Sequence, residues 1–340
     1  MNTPDLEIKL AFITGLREIV LHEIEHYEDL HIKREKDDSL YLDFVNLDEI
    51  RRLRSVARAY VVVRDFAYNP PYISKHKSII GTLMEIAMGE HAAAFKTFKI
   101  TCAGSDSREV RDIAQYIQRT YGLTEKEDAD MKVHIIKIDE IWEVGAQITP
   151  RPLSFRDYKV KNMSGAMDPT IAHAMNSLCN LENANSYLNI FSGSATLLIE
   201  ASRSYPNIHR LVGFDNNKKN ISLAIQNIKK AGLITKIQLK EKDICDKPDL
   251  GTFDVITSDL PFGMSIAKDE DLESLYRCFV EYSEKALHRD GTLAVYTSAH
   301  EVLKKILSRS QFTIVKTLDL TFTTSVNAYL RPKIFVCRLP

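Results

Sequence analysis

The apolar positions fall into two rhythms. Up to about residue 150, short strand and helix patterns alternate irregularly. "LEIKLAFI", "SLYLDFV" and "AYVVVRDF" read as strands, and "LREIVLHEIEHY" and "LDEIRRLRSV" as amphipathic helices. A second such group follows, with "FKTFKITCAG", "DMKVHIIKI" and "IWEVGAQI" as strands and "SREVRDIAQYIQRTYG" as a helix opened by serine and closed by glycine. Trp142 and the stripe "IIGTLMEIAM" read as core. These residues predict a pair of small α+β modules.

The stretch "ITPRPLSFRDYKVKNMSGAMDP", residues 148–169, interrupts the pattern with three prolines and four basic residues. Beyond it, strands apolar on both faces alternate with helices. "SYLNIF", "HRLVGFD", "IQLKEKD", "FDVITSD" and "TLAVYTS" are separated by "ATLLIEASRS", "KKNISLAIQNIKKAG" and "DLESLYRCFVEYSEKALHRDG". "HEVLKKILSRS" then leads to "FTIVKTLDLT" and "KIFVCRLP", with no helix between these last two strands. The prediction is an α/β fold whose mostly parallel sheet is covered on both sides, with one of the last two strands antiparallel.

Composition changes this picture little. The 340 residues are 44% hydrophobic and 27% charged, the range of a globular chain. The apolar runs fall short of a membrane span, and the first residues lack the order of a signal peptide. Five scattered cysteines without CxxC spacing argue against a disulfide framework or a zinc site, and for a cytoplasmic location. Residues 1–150 carry 20 basic and 26 acidic side chains, a net of −6, and residues 151–340 carry 25 and 20, a net of +5. That asymmetry suggests a phosphate-bearing partner for the second half only weakly. The surface chemistry gives no strong dimer signal, so a monomer is expected.

In a parallel sheet, ligands bind beyond the carboxyl ends of the strands, and those ends carry the candidate chemistry. The first ends in "NIFSGSAT", where Gly193, between Ser192 and Ser194, allows a tight turn and close approach to a ligand; a plain strand-to-helix turn would use the same glycine. The second ends at Asp215, 22 positions after Gly193, able to accept the hydroxyls of a ribose or to cap the next helix. The third ends at Asp243, followed by Ile244. These two suit an adenine amino group and ring, or a solvated loop. The fourth ends at Asp259 in "SDLPFGMS". A glycine loop followed by three strand-end acids, without a full GxGxxG, suits a nucleoside-bearing cofactor that lacks a pyrophosphate.

On these motifs, residues 185–340 resemble a class I S-adenosylmethionine-dependent methyltransferase. "DLPF" resembles the (Asp/Asn/Ser)-x-Pro-(Tyr/Phe) motif of enzymes that methylate exocyclic amines of nucleobases. The order of segments resembles the THUMP-containing tRNA guanine-N2 methyltransferases over nearly the whole chain. The resemblance implies a ferredoxin-like module at 1–70, a THUMP-like RNA-binding module at 71–150, a linker and helix at 151–184, and a Rossmann-like catalytic domain with a seven-stranded sheet at 185–340.

It implies S-adenosylmethionine bound by Asn189, Phe191, Ser192, Gly193, Ser194, Asp215, Asn216, Asp243, Ile244 and Asp259, with Pro169 and Thr170 starting a helix that covers it. It also implies catalysis by Asp259, Leu260, Pro261 and Phe262. Arg151, Arg156, Lys159 and Lys161 stand as contacts to RNA phosphates, or as a solvated linker, and Tyr158 as a neighbour or as packing. Two departures from the family pattern stand out, Asn189 for an acid and Ala195 for a second glycine, and the THUMP-like part lacks an Asn-Pro-Asp turn.

The expected reaction is methylation of guanine N2 in structured RNA, most simply tRNA, without a metal. An adenine-N6 or cytosine-N4 methylase, and a catalytically weak RNA-binding protein of the same fold, remain open. Pyrimidine C5 chemistry does not fit, because it needs a cysteine nucleophile and no Pro-Cys occurs.

Overall fold

The computed structural model describes residues 5–102, 107–161, 163, 165–262, 269–325 and 328–340. The chain divides into two compact units. The first holds residues 1–12 and 20–154, and the second holds 13–19 and 155–340.

In the first unit the elements run β1 (Leu6–Ala11), α1 (Arg17–Ile24, its first residues grouping with the second unit), β2 (Ile32–Glu35), β3 (Ser39–Asp43), α2 (Leu47–Ile50) and β4 (Arg58–Asp65). They continue as α3 (Ile73–Met88), β5 (Thr97–Cys102), α4 (Arg108–Tyr121), β6 (Thr124–Glu125), β7 (Met131–Ile138) and β8 (Ile141–Gln147). The helix α4 follows from its sequence. The Ser107 hydroxyl accepts the Val110 N–H, Gly122 ends the helix at φ 67°, and Val110, Ile113, Ala114 and Ile117 form the buried stripe.

The strands of both expected modules share one eight-stranded sheet, ordered β2-β3-β1-β4-β8-β7-β5-β6, because β4 pairs with β8 over Tyr60–Gln147 to Asp65–Trp142. Within this sheet, Glu143 of β8 is fully buried. It accepts from Lys9 Nζ at 2.7 Å, Tyr41 Oη at 2.8 Å and His134 Nε2 at 2.9 Å, with Arg64 at 3.7 Å. Burial pushes its carboxyl up, but His134 and Lys9 outweigh that and hold it down to about 2. Gly145 is required there, since a Cβ would stand 2.4 Å from the His134 ring. The stripe of α3 is core as expected. Trp142 is not: it is partly exposed, because it stands at the start of β8 opposite Asp65 and Lys137.

The second unit runs α5 (Pro169–Ser177), β9 (Ser186–Ile190), α6 (Thr196–Ser204), β10 (Arg210–Asp215), α7 (Lys218–Lys230), β11 (Ile237–Glu241) and β12 (Phe253–Asp259). Then come α8 (Asp269–Ala286), β13 (Leu287–Thr297), α9 (His300–Leu307), β14 (Thr313–Asp319), β15 (Phe322–Ser325), β16 (Ala328–Leu330) and β17 (Lys333–Arg338). The seven-stranded sheet is ordered β11-β10-β9-β12-β13-β17-β14, with β17 antiparallel to both neighbours and the rest parallel.

Alternation along β9 sorts its two faces. Leu188 and Ile190 join the core with Phe279 and Leu303 of α8 and α9. On the opposite face Tyr187 donates to Asn176 of α5 at 2.8 Å. The order reverses at β9, so the crevice lies beyond the carboxyl ends of β9, β10 and β12. One expectation is corrected here. Cys245, after β11, is disulfide-bonded to Cys278 of α8, with Cα atoms 5.2 Å apart. The spacing of 33 residues conceals that the fold brings the two elements together.

Candidate active site

The turn after β9 is tightly wound. Phe191, Gly193 and Ala195 all have positive φ, at 55°, 49° and 64°. For the two non-glycine residues this conformation costs ~1–2 kcal/mol each, and such strain gathers at functional sites. Asp215 fixes the turn. Its Oδ2 accepts the Gly193 N–H at 3.0 Å, while Oδ1 accepts the Asn217 N–H at 2.9 Å and Asn220 Nδ2 at 3.1 Å. A carboxylate has about four acceptor positions, so about one is left for a ribose hydroxyl. The cap of α7 is Asn217, whose side chain accepts the Lys219 N–H.

Around this turn several candidates serve the fold. Asn189 is buried, and its amide donates to the Thr257 carbonyl of β12 at 3.1 Å. The Ser194 hydroxyl is bonded to Thr196 at 2.9 Å. Asp243 accepts from Asn216 at 3.0 Å and from the Cys245 N–H at 2.9 Å, and Ile244 is buried in the core with Leu250 and Phe253. Phe191 packs against that core, 6.3 Å from the Phe279 ring. Pro169 and Thr170 begin α5, capped by Asp168, whose carboxylate accepts the Thr170 N–H at 2.7 Å.

Asp259 ends β12, half-buried, and among the described residues no hydrogen bond reaches its carboxyl. Burial pushes that carboxyl up to about 8, opposed by the charge of Lys159. The following turn is held from three sides. The Leu260 N–H donates to the Tyr296 carbonyl at 3.0 Å, and Tyr276 Oη donates to the Pro261 carbonyl at 2.8 Å. The Phe262 ring lies 5.4 Å from that of Tyr296. Tyr276 and Tyr296 escaped the sequence reading because they sit in α8 and β13, where apolar periodicity makes them core. The rest of "SDLPFGMS", residues 263–265, lies outside the described residues.

The basic lead-in segment is pinned rather than loose. Glu200 of α6, fully buried, accepts from Tyr158 Oη at 2.7 Å and Arg156 Nε at 3.2 Å. The Lys161 N–H donates to Asn227 Oδ1 at 2.9 Å, and Asn227 Nδ2 returns a bond to the Lys161 carbonyl at 3.1 Å. Lys159 Nζ donates to the Met167 carbonyl at 2.7 Å. Arg151 is exposed and belongs to the first unit.

In that unit a cleft of about 720 Å³ is lined by Lys9, Lys36, Arg58, Lys99 and Lys132, beside Tyr60. The net negative charge of the amino-terminal half therefore hides a cationic face. Lys36 and Lys99 pair there with the exposed Asp139 and Glu127; exposed pairs are worth only ~0.2–1 kcal/mol, little enough for a phosphate to displace.

Strand order and strand-end acids together place the second unit among the class I methyltransferases. The RMKL-like methyltransferase domain family matches residues 156–325, half of the chain, and the chain belongs to that family. U6 snRNA (guanine-N(2))-methyltransferase THUMPD2 of Homo sapiens is 27% identical over 212 residues, covering 59% of this chain and 41% of that protein. The tRNA (guanine(6)-N2)-methyltransferase of Thermus thermophilus is 26% identical over 199 residues, 58% of this chain and 59% of the relative. The chain thus matches about half the length of these relatives.

Among solved structures, TrmN from Thermus thermophilus superposes with a TM-score of 0.77 at 20% identity, covering 98% of this chain and all of that one. SMU.472, solved with SAH, gives 0.72 at 16% identity, over 98% of each chain.

The family's methyl donor is S-adenosylmethionine, and the residues present suit it. Asp215 keeps an acceptor position, and the Ser192 hydroxyl is buried without a partner among the described residues. The α6 amino terminus has Ala195 as its cap residue, and no side-chain cap bond forms there among the described residues, which suits its N–H groups to a carboxylate. Among the described residues no group of three or more His, Cys, Asp or Glu could hold a metal. Among them also no helix is long and apolar enough to cross a membrane.

Proposed function

We propose that the protein methylates the exocyclic N2 amine of a guanine in structured RNA, most simply tRNA. The observation that carries this reading is the Asp259 turn: a carboxyl that no hydrogen bond reaches among the described residues, beside the Leu260 carbonyl, with an aromatic ring three residues on at Phe262. A guanine N2 amine has two hydrogens and a lone pair delocalised into the ring. Asp259 and the Leu260 carbonyl accept the two hydrogens, which returns density to nitrogen and fixes its direction. Pro261 stiffens the turn, and Phe262 offers its face to the base. The base must leave its stack to reach this pocket.

S-adenosylmethionine, when bound, supplies an electrophilic methyl group. Holding the amine in line with that methyl group would account for roughly 7–11 kcal/mol of barrier, as in well-oriented systems. The first unit is the RNA-recognising part, its ferredoxin-like and THUMP-like stretches presenting the cationic cleft to phosphates, and the exposed Arg151 belongs to the same unit. The guanine-N2 activities named for the human and Thermus relatives support the choice of base.

Incubation with radiolabelled S-adenosylmethionine and bulk tRNA, followed by nucleoside analysis, tests the reading. Label in N2-methylguanosine is expected. Label only in adenosine or cytidine overturns the choice of base, and no label with any RNA overturns the activity.

A further inference from the structure

β13 ends beside the acceptor turn with two adjacent residues, Tyr296 and Thr297, whose side chains leave opposite faces of the sheet. Thr297 faces α8, where its hydroxyl meets Tyr276 Oη at 2.6 Å, and Tyr276 in turn holds the Pro261 carbonyl. Tyr296 faces the other way. It stands in register with Asp259 on the parallel neighbour β12, and residues paired in this way share a face of the sheet. The phenol ring and the acceptor carboxyl therefore leave the sheet on one side. That side also carries Thr257, whose hydroxyl donates to Tyr187 at 2.7 Å, and Tyr187 reaches α5.

Tyr296 touches the turn twice. Its carbonyl accepts the Leu260 N–H at 3.0 Å, and its ring centre lies 5.4 Å from that of Phe262, with the planes tilted by 59°. Exposure separates the two rings. Tyr296 is 6% exposed, whereas Phe262 is only half-buried. Tyr296 is thus the fixed member of the pair and Phe262 the accessible one. Rings at this tilt do not stack face to face, so the contact fixes Phe262 and still leaves it a face for a third ring. Without that support Phe262, three residues past the end of β12, would sample its staggered χ1 wells. Only a fraction of arriving bases would then meet the ring in a useful orientation.

We propose that Tyr296 is a positioning residue for methyl transfer, its ring holding Phe262 in the orientation that presents the target base to Asp259 and the Leu260 carbonyl. Leu260 and Pro261 are held through their backbone, by Tyr296 and Tyr276, and Phe262 is held through its ring. The role therefore belongs to the aromatic ring of Tyr296 and not to its hydroxyl. This inference rests on the methyl-transfer reading and adds a residue that the reading does not use.

The test is single-turnover transfer from radiolabelled S-adenosylmethionine to tRNA, with the Kd values for RNA and cofactor measured separately. Tyr296→Leu should slow transfer roughly tenfold, the upper end of what an aromatic pair is worth, with both Kd values unchanged. Tyr296→Phe keeps the ring and should recover most of the rate. A double-mutant cycle with Phe262→Leu supplies a readout that a general structural role would not move. With Phe262 already truncated, Tyr296→Leu should slow transfer by less than about twofold.

Additive losses in that cycle would overturn the proposal. So would a Tyr296→Phe as slow as Tyr296→Leu, or a loss that appears in the cofactor Kd instead of the rate. Should Tyr296→Leu not fold, Tyr296→Met, which keeps more of the volume without a ring, takes its place in the cycle. A wild type that labels no RNA overturns the reaction on which the proposal rests. A wild type that labels RNA alongside an additive cycle overturns the role of Tyr296 alone.

Discussion

Replacing Tyr276 with Phe isolates what holds the acceptor turn in place. Tyr276 is fully buried, and its hydroxyl donates to the Pro261 carbonyl at 2.8 Å while meeting Thr297 Oγ1 at 2.6 Å. Phenylalanine fills the same space without the oxygen, so no cavity forms. Thr297 keeps a partner in the Ala299 N–H at 3.0 Å, whereas the Pro261 carbonyl loses its phenol donor. An unsatisfied buried acceptor costs ~1–3 kcal/mol, and the pocket's access to water puts the expected loss near the lower figure. A turn loosened by that much gives up alignment worth about a factor of ten in rate, the equivalent of ~1.4 kcal/mol. Urea denaturation, calorimetry with S-adenosylmethionine and single-turnover methyl transfer separate the contributions. The expected result is a loss of about 1 kcal/mol in stability, an unchanged cofactor Kd and a roughly tenfold slower transfer. Unchanged transfer alongside lost stability would refute the link between the Pro261 tie and chemistry. A cofactor Kd weakened as much as the rate would place the hydroxyl in cofactor binding instead.

Three other variants probe separate parts of the second unit. Burial pushes the Asp259 carboxyl up to about 8 from the ordinary aspartate value of 3.8, so the stability it contributes falls as pH rises between those values. Asp259→Asn should abolish transfer, melt like wild type near pH 4 and melt higher above pH 8; parallel melting curves across the range would contradict this. Glu200→Ala strands the nearly buried Arg156 and the Tyr158 hydroxyl, and should cost about 3 kcal/mol in urea denaturation; a loss below ~0.5 kcal/mol would show the anchor to be idle. Reducing the Cys245–Cys278 bridge opens a loop of 33 residues and should cost ~3–4 kcal/mol. It should also weaken cofactor binding through the adjacent Asp243, whereas Cys278→Ser should be indifferent to reductant. A reductant-sensitive melt in Cys278→Ser would rule the bridge out as the cause.

The second unit was legible because β9, β10, β12, β13 and β17 are largely buried, while the acids marked strand ends. Its edge strands β11 and β14, though mostly exposed, still carry apolar residues and follow helices in the regular alternation. What stayed hidden lies across the chain rather than along it. Tyr276, Tyr296 and Glu200 read as ordinary helix or strand residues, and only folding brings them to the Asp259 turn or the lead-in segment. The cysteines misled for the same reason, since spacing along the sequence says nothing of a contact between the loop after β11 and α8. In the amino-terminal half, β2 was missed because "IKRE" is nearly all exposed, and no sequence pattern disclosed that β4 and β8 would join. The short pair β15 and β16 also lacked an alternating signal long enough to read.

That joining of β4 to β8 has a bearing on how the chain could be divided or recombined. Glu143, from β8, draws its donors from β1, β3 and β7, so it fastens residues on both sides of position 70. A cut there would leave six residue pairs of sheet without partners and a buried carboxylate stripped of Lys9, Tyr41 and Arg64. Residues from the two sides are therefore inherited, exchanged or lost together. A graft that carries this first unit to another protein has to take the whole sheet, with the glutamate and its donors still attached.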